Sequence, residues 1–201
     1  MREIVKITSV LFIICLLASG LLAFANELTS GPIAASREKT ELEALTKVMK
    51  DVESTKLSED EYNEAIKDFG DSTLGSVDAI YVSKKGEEVV GYIYKCTVGG
   101  FGGDVVLLAG INMDSTLSGA KVITHSETAG LGATAANEGE GAWINQYEGK
   151  SIATDMEVIK SGTATDSQVN SITGSTITSV AVTGGVNLAR AVFLQMTGGA
   201  N

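Results

Sequence analysis

The stretch VVGYIYKCTVGGFGGDVVLLAG, from Val89 to Gly110, predicts two β-strands joined by a glycine-rich turn. Its apolar runs, Val89–Thr97 and Val105–Gly110, are rich in the β-branched, aromatic and aliphatic residues that favour strands. We predict a hairpin turn at 99–103 rather than a nucleotide-binding loop, because the G-x-G-x-x-G pattern between a strand and a helix is missing. Further apolar runs at Ala79–Val82 and Ala120–Thr124 lie close by, separated by turns at 84–86 and 112–119. Strands connected this closely pair antiparallel, so the runs predict an antiparallel sheet.

Helical patterns flank these strands. Ser36 is predicted to cap an amphipathic helix, whose apolar positions are Leu42, Leu45, Val48, Met49 and Val52. A second helix is predicted over Glu59–Phe69, and a last one over residues 180–192, where Gly184 and Gly185 weaken it. These elements predict an α+β fold, in which helices pack against a mainly antiparallel sheet.

The segment between the sheet and the last helix has weaker signals. Trp143 and Tyr147 are predicted to lie on a helical turn, with Trp143 packed in the core rather than stacked on a ligand. A further strand is predicted near Met156–Ile159.

One apolar run, Ile7–Ala25, precedes the predicted domain and is close to the ~20 residues that span a bilayer. It can be a retained transmembrane helix, or a signal peptide whose cleavage site is Ala23-Phe24-Ala25. We favour the anchor because the run is long for a signal peptide. Arg2 and Lys6 place residues 1–6 in the cytoplasm, so the domain is expected on the outer side in either case. Residues 26–36, with Gly31 and Pro32, are predicted to be a linker, which leaves 37–201 as the extracytoplasmic domain.

Composition excludes several classes of function. The chain of 201 residues has a formal net charge of −10, which disfavours nucleic acid as a partner. It has two cysteines, Cys15 and Cys96, and one histidine, His125, so neither an iron–sulfur set nor a histidine-rich metal site can be built. We therefore expect no metal, and any redox role would use an organic cofactor.

The segment SITGSTITS, Ser171–Ser179, carries the strongest functional signal. Small hydroxyl residues are common in turns and helix caps, and Thr178 or Ser179 can simply cap the last helix. The same features also suit a bound phosphate, since glycine and small neighbours expose backbone N–H groups just before a helix. On its own the segment is compatible with both interpretations.

Further segments match one family in order and spacing. Thr124–Gly132 contains His-x-Glu-Thr-x-Gly-Leu-Gly, and Gly91-Tyr92 and Gly100-Phe101-Gly102-Gly103 precede it. With Ser171–Ser179 and the N-terminal apolar run, these motifs make the chain similar from about Lys39 onward to the G subunit of Rnf-type ion-translocating ferredoxin–NAD oxidoreductases. The C subunit of sodium-translocating NADH–quinone reductases is a relative of that family.

The resemblance implies a covalent flavoprotein. Thr176 would carry FMN as a phosphoester, and the last helix would begin just after it. Further cofactor-binding residues implied by the resemblance are Thr173, Gly174, Ser175, Thr178 and Ser179, together with His125, Glu127, Thr128, Gly130, Leu131 and Gly132. Glu127 and Thr128 would bond the isoalloxazine or order their loop, while Gly130 and Gly132 would let the backbone approach the ring or the phosphate tail. The chain departs from the family at Ser175 (usually alanine), Asn170 (commonly aspartate) and Ala129 (commonly proline).

The implied function is electron transfer by one subunit of an Rnf-like complex, which does not catalyse alone. Its partners would be the other membrane subunits and a flavin transferase. Two alternatives stay open at the level of sequence: a flavin module of another extracytoplasmic reductase, and a membrane-tethered non-redox binding domain.

Overall fold

A computed structural model describes residues 2–67 and 75–198 of the chain. The chain divides into two compact units, 1–41 and 42–201. Helix α1, Arg2–Val48, begins in the first unit and ends in the second. Of the predicted Glu59–Phe69 helix, the last two residues lie outside the described range.

In the first unit, α1 exposes its apolar side chains over the predicted anchor, and this helix is long and apolar enough to cross a membrane. The segment 26–36, predicted to be a linker, is helical, since α1 continues through Pro32. Ser36 lies inside the helix and does not cap it as predicted. Proline costs a helix one N–H donor, but its fixed φ near −65° is a helical value.

The second unit is built on an antiparallel sheet with strands in the order β1-β2-β3-β4-β5. The strands are β1 Glu53–Lys56, β2 Ser76–Lys85, β3 Glu88–Gly99, β4 Asp104–Asn112 and β5 Leu117–Thr124. The four strands predicted from apolar runs are confirmed as β2 to β5, with the predicted turn at 99–103 between β3 and β4. β1 was missed, because a four-residue edge strand without apolar residues has no sequence signal.

Both faces of this sheet are covered. The end of α1 packs Leu45 and Val48 against one face, where they meet Ile93 and Leu108. The other face receives helix α3, Thr176–Thr197, whose Val186 packs among the buried residues there. Because successive side chains of a strand point to opposite faces, Leu107 and Leu108 reach different cores. The predicted α+β class is confirmed.

Smaller elements complete the unit. Helix α2, Glu59–Ile66, starts at Ser58, which forms a capping box with Glu61. Short 3₁₀ turns span Gly132–Ala136 and Trp143–Tyr147, and a parallel pair joins β6 Glu157–Ile159 to β7 Gln168–Asn170. β6 was predicted, whereas the three residues of β7 were not. Trp143 packs against the core, as predicted, and its ring lies edge-to-face on Tyr147.

Helix α3 begins earlier than the sequence suggested. Its first residue is Thr176, with Ser175 in the N-cap position, so Thr178 and Ser179 do not cap it. Both lie inside the helix and turn inward, where Thr178 is 1% exposed and Ser179 is fully buried. The hydroxyl of Thr178 bonds Glu127, and the hydroxyl of Ser179 bonds the backbone of Ile172 and Ser175. Neither hydroxyl is therefore left to cap the first turn of the helix.

Candidate functional site

Three separate segments meet around one cavity of about 400 Å³. They are the β3–β4 turn at 100–103, the loop that follows β5 at 125–132, and the segment 171–178 that leads into α3. The residues that line the cavity are Phe101, Glu127, Thr128, Leu131, Gly132, Gly174, Ser175, Thr176, Ile177 and Thr178. The fold therefore brings together the three motifs that the sequence singled out.

The segment before α3 is held by its own hydrogen bonds. Ser175 N donates to Ile172 O at 2.9 Å and closes a tight turn. Buried Ser179 fixes the turn from inside the helix, since its Oγ accepts from Ile172 N at 2.9 Å and donates to Ser175 O at 3.0 Å. The position of Thr176, the next residue, is thereby set by the backbone on one side and the helix on the other.

Thr176 differs from the other hydroxyl residues of this segment. Ser175 and Thr178 line the same cavity but are buried, and Ser179 is buried behind them. Thr173 is exposed but does not line the cavity. Thr176 is half-buried and lines it, so it combines access from solvent with a place at the cavity wall.

The start of α3 also suits a negatively charged group. The first N–H groups of a helix have no partner within the helix, and the N-cap Ser175 side chain makes no capping hydrogen bond to them. Such N–H groups and the helix dipole together favour an anion at this position. Thr176 stands at this end of a helix of 22 residues.

Glu127 connects all three segments. Its Oε1 accepts from the backbone N–H groups of Phe101 at 2.7 Å and Gly102 at 3.0 Å, and its Oε2 accepts from Thr178 Oγ1 at 2.7 Å. Burial by itself raises the pKa of this carboxyl, but these hydrogen bonds and the nearby His125 outweigh burial and lower the pKa. Glu127 is therefore ionised at neutral pH, with its carboxylate engaged by protein donors.

The glycines around Glu127 leave room for this carboxylate. A Cβ at Gly100 would overlap Glu127 Oε1, and one at Gly132 would overlap Glu127 Oε2 and lie 2.6 Å from Thr178 Oγ1. A Cβ at Gly102 would overlap Ser126 O. The close approach predicted for Gly132 is thus made to the protein's own carboxylate, while a Cβ at Gly130 would face open space.

Two other predicted site residues lie away from the cavity wall. His125 Nδ1 accepts a hydrogen bond from Glu127 N at 3.2 Å, so His125 orders the loop behind Glu127. Gly130 sits at φ +75°, in the turn closed by Leu131 N donating to Thr128 O. Thr128 and Leu131 of the same loop do line the cavity.

Sequence reasoning missed two residues of the wall. Phe101 was recognised only within the motif at 100–103 and Ile177 only within the segment 171–179, and neither was named as a binding residue. Both are large apolar side chains with high exposure, 69% for Phe101 and 57% for Ile177. A bulky apolar residue among glycines at a predicted turn was the signal that could have identified Phe101.

A second cavity of about 410 Å³ shares Thr176 and Ile177 with the first. Its remaining walls are formed by Val98, Gly99, Val180, Ala181 and Gly184. Within residues 2–67 and 75–198, no cluster of three or more His, Cys, Asp or Glu side chains is placed to hold a metal ion.

Comparison with known proteins agrees with this geometry. Residues 100–191 match the family model of the FMN-binding domain, and all three cavity segments lie within that match. The chain is 33% identical over 199 residues to the G subunit of the Na⁺-translocating ferredoxin:NAD⁺ oxidoreductase complex of Acetobacterium woodii, with 98% of this chain and 94% of that protein covered. It is 30% identical over 182 residues to the G subunit of an ion-translocating oxidoreductase complex of Cereibacter sphaeroides, with 89% and 78% covered.

The fold has a counterpart among solved structures. The crystal structure of Shewanella oneidensis NqrC superposes with a TM-score of 0.52 at 17% identity, over 60% of this chain and 61% of that one. At this identity the likeness concerns the fold of the domain.

Proposed function

Because this chain belongs to the family of G subunits of ion-translocating oxidoreductase complexes and contains an FMN-binding domain, we propose that it carries FMN covalently, as a phosphoester of Thr176. The observation that carries this proposal is the setting of Thr176. Thr176 is a half-buried threonine at the wall of a cavity and the first residue of α3, and the side chain of the N-cap Ser175 makes no capping hydrogen bond.

The residues around Thr176 fit FMN. A phosphate on its Oγ1 would lie near the unpaired N–H groups of the first turn of α3, which favour an anion. The cavity of about 400 Å³ lies within the ~300–1,000 Å³ of small-ligand sites, which are mostly apolar with a few polar groups. Leu131 and Ile177 supply apolar wall, and Thr128 supplies an exposed hydroxyl.

When bound, FMN supplies one- and two-electron redox chemistry, and the protein sets its position and electrostatic surroundings. The residues of this chain would hold the phosphate end of FMN at Thr176, and the apolar residues of the wall would limit the access of water to the flavin. The ionised Glu127 places a negative charge at this wall, which opposes the gain of further negative charge by a bound group.

We also propose that the first unit is a retained membrane anchor and that the domain lies on the outer side. The apolar side chains of α1 at Ile7–Ala25 are exposed, which suits a lipid surrounding. Arg2 and Lys6 precede this run and favour a cytoplasmic N-terminus. An electron carrier anchored this way would exchange electrons with other subunits of its complex, after modification by a flavin transferase.

Mass analysis tests the attachment. The full chain is produced in cells with an active flavin transferase, and the peptide that contains Thr176 is expected to gain one FMN less one water. Thr176→Val should abolish this gain. Two matched controls, Thr173→Val and Thr178→Val, should keep it, because neither of these hydroxyls is both accessible and at the cavity wall. An unmodified wild-type peptide from such cells would contradict the proposal.

A further inference from the structure

Phe101 has an aromatic side chain that is largely exposed to solvent. It is 69% exposed at the edge of the cavity, yet its backbone is fixed. Gly100 N donates to Gly103 O at 2.9 Å across the turn, and the N–H groups of Phe101 and Gly102 both bond Glu127 Oε1. The turn that carries this ring is therefore secured to the loop after β5.

Close packing reinforces these hydrogen bonds. Gly100 and Gly102 lie so near Glu127 and Ser126 that neither has room for a Cβ. A turn packed in this way cannot swing away from the cavity without losing its bonds to Glu127. The backbone that carries the ring is thus ordered before a ligand binds, which lowers the cost of placing the ring on a flat apolar partner.

Thr176 lines both cavities, so a ring tethered there could enter either of them. The neighbouring cavity has aliphatic and glycine walls, with Thr176 as its polar side chain. The cavity of Phe101 has in addition an aromatic face and the exposed hydroxyl of Thr128. An isoalloxazine is a flat aromatic system with one apolar and one polar edge. Of the two cavities that Thr176 lines, the cavity of Phe101 is the one that matches both of these properties.

We propose that Phe101 packs its ring on the isoalloxazine of the FMN attached to Thr176, and so holds the flavin in the cavity shared with Leu131. The neighbouring cavity over Val180 then stays outside the flavin site. This inference rests on the attachment at Thr176. Phe101 is a ring-contacting residue in this assignment, and Glu127 is a positioning residue that acts through the Phe101 backbone.

Fluorescence of the loaded full-length protein tests the contact. An indole in van der Waals contact with an excited flavin transfers an electron to it and quenches its emission. Phe101→Trp is expected to remove most of the flavin emission per covalently bound FMN, whereas Val180→Trp, in the neighbouring cavity and 54% exposed in the wild type, is expected to emit like the wild type. Trp143 is present in every variant and lies outside both cavities, so its effect cancels.

Mass analysis of the same samples separates the two proposals. If FMN is on Thr176 but Phe101→Trp emits like the wild type, or if Val180→Trp is the quenched variant, the contact with Phe101 is refuted while the attachment stands. If no flavin is attached, the attachment is refuted, and a second measurement decides on Phe101.

That second measurement uses unmodified protein, made without the transferase, and lumiflavin, which has the ring system but no phosphate. Phe101→Ala should raise the dissociation constant for lumiflavin about five- to tenfold, the effect of losing one aromatic contact. Met113→Ala, which removes an exposed apolar side chain from a different turn, should leave it unchanged. Equal affinities of wild type and Phe101→Ala would refute the contact whatever the state of Thr176.

Discussion

Glu127 and Thr178 lie 51 positions apart in the chain, and Thr178 Oγ1 donates a hydrogen bond to Glu127 Oε2 across 2.7 Å. The bond joins the loop after β5 to the first turn of α3. It also occupies the Thr178 hydroxyl, which leaves Thr176 as the more exposed of the two threonines that α3 contributes to this cavity wall.

Replacing Glu127 with alanine is expected to leave the covalent loading of FMN largely intact and to change the midpoint potential of the flavin. The turn before Thr176 is held by Ser179, independently of Glu127. Loss of a negative charge at the cavity wall favours the reduced anionic flavin, so the midpoint potential should rise, on the order of 30 mV for a two-electron couple if the effect is roughly 1.4 kcal/mol. Redox titration and visible spectra measure this. Unchanged potential and spectrum in both Glu127→Ala and His125→Ala would show that the loop lies away from the ring.

The same carboxylate should make stability depend on pH. The pKa of Glu127 is lowered from its ordinary value of 4.5, so its contribution is present above that value and is lost as pH falls through the folded-state pKa. Wild type should therefore lose free energy of unfolding more steeply than Glu127→Gln as the pH falls below about 5. Urea unfolding at a series of pH values measures the difference. Parallel curves for the two proteins would mean that Glu127 is not stabilised in its charged form.

Adding a methyl group at Gly100 should be costly, because it would overlap Glu127 Oε1. We expect Gly100→Ala to lower the free energy of unfolding by about 1–3 kcal/mol. The neighbouring Gly99 is the matched control, since a Cβ there meets no atom within 4 Å and its φ is not positive. Gly99→Ala should change stability by no more than about 0.5 kcal/mol. Equal effects of the two substitutions would argue that the turn is not packed against Glu127.

Ser179 should matter for the rate of flavin attachment. Ser179→Ala removes the hydroxyl that bonds both Ile172 N and Ser175 O, and we expect slower loading together with a loss of about 1–3 kcal/mol of stability. Thr183→Val is the control, because it removes another buried hydroxyl, bonded to Ser179 O and Tyr147, one turn further from Thr176. It should lower stability without slowing loading. A time course of FMN incorporation distinguishes the two, and equal rates for Ser179→Ala and wild type would contradict the positioning role.

The sheet could be predicted from sequence because β2 to β5 carry continuous apolar runs between glycine-rich turns. The continuation of α1 through Pro32 could not, since Gly31 and Pro32 together are a helix-breaking signal and no neighbouring residue in the sequence offsets it. The start of α3 was misplaced because Thr178 and Ser179 bond partners inside the fold. Thr178 bonds Glu127, which is 51 positions away, and Ser179 bonds the backbone of Ile172, which precedes the helix, and a local pattern reports neither contact.

At the candidate site, too, some features could be predicted from the sequence and others could not. Its motifs were recognised and the loop at 125–132 was expected beside the flavin, but the turn at 100–103 was not, and the use of each residue depends on tertiary contacts. The sequence indicated a carboxylate and several glycines near a flavin, and only the fold shows that Gly100 and Gly132 make room for Glu127. Phe101 was recognised only as part of a motif, because a single sequence does not show which side chains of that motif face a cavity.

The cavity walls come from the β3–β4 turn, the loop after β5 and the start of α3, which emerge from synthesis at very different times. A nascent chain that has completed only its sheet has no such cavity, since the segment containing Thr176 is still to come. A modifying enzyme that recognises the assembled walls would therefore act only on chains that have already folded, and the cofactor would mark those molecules that have passed this stage of maturation.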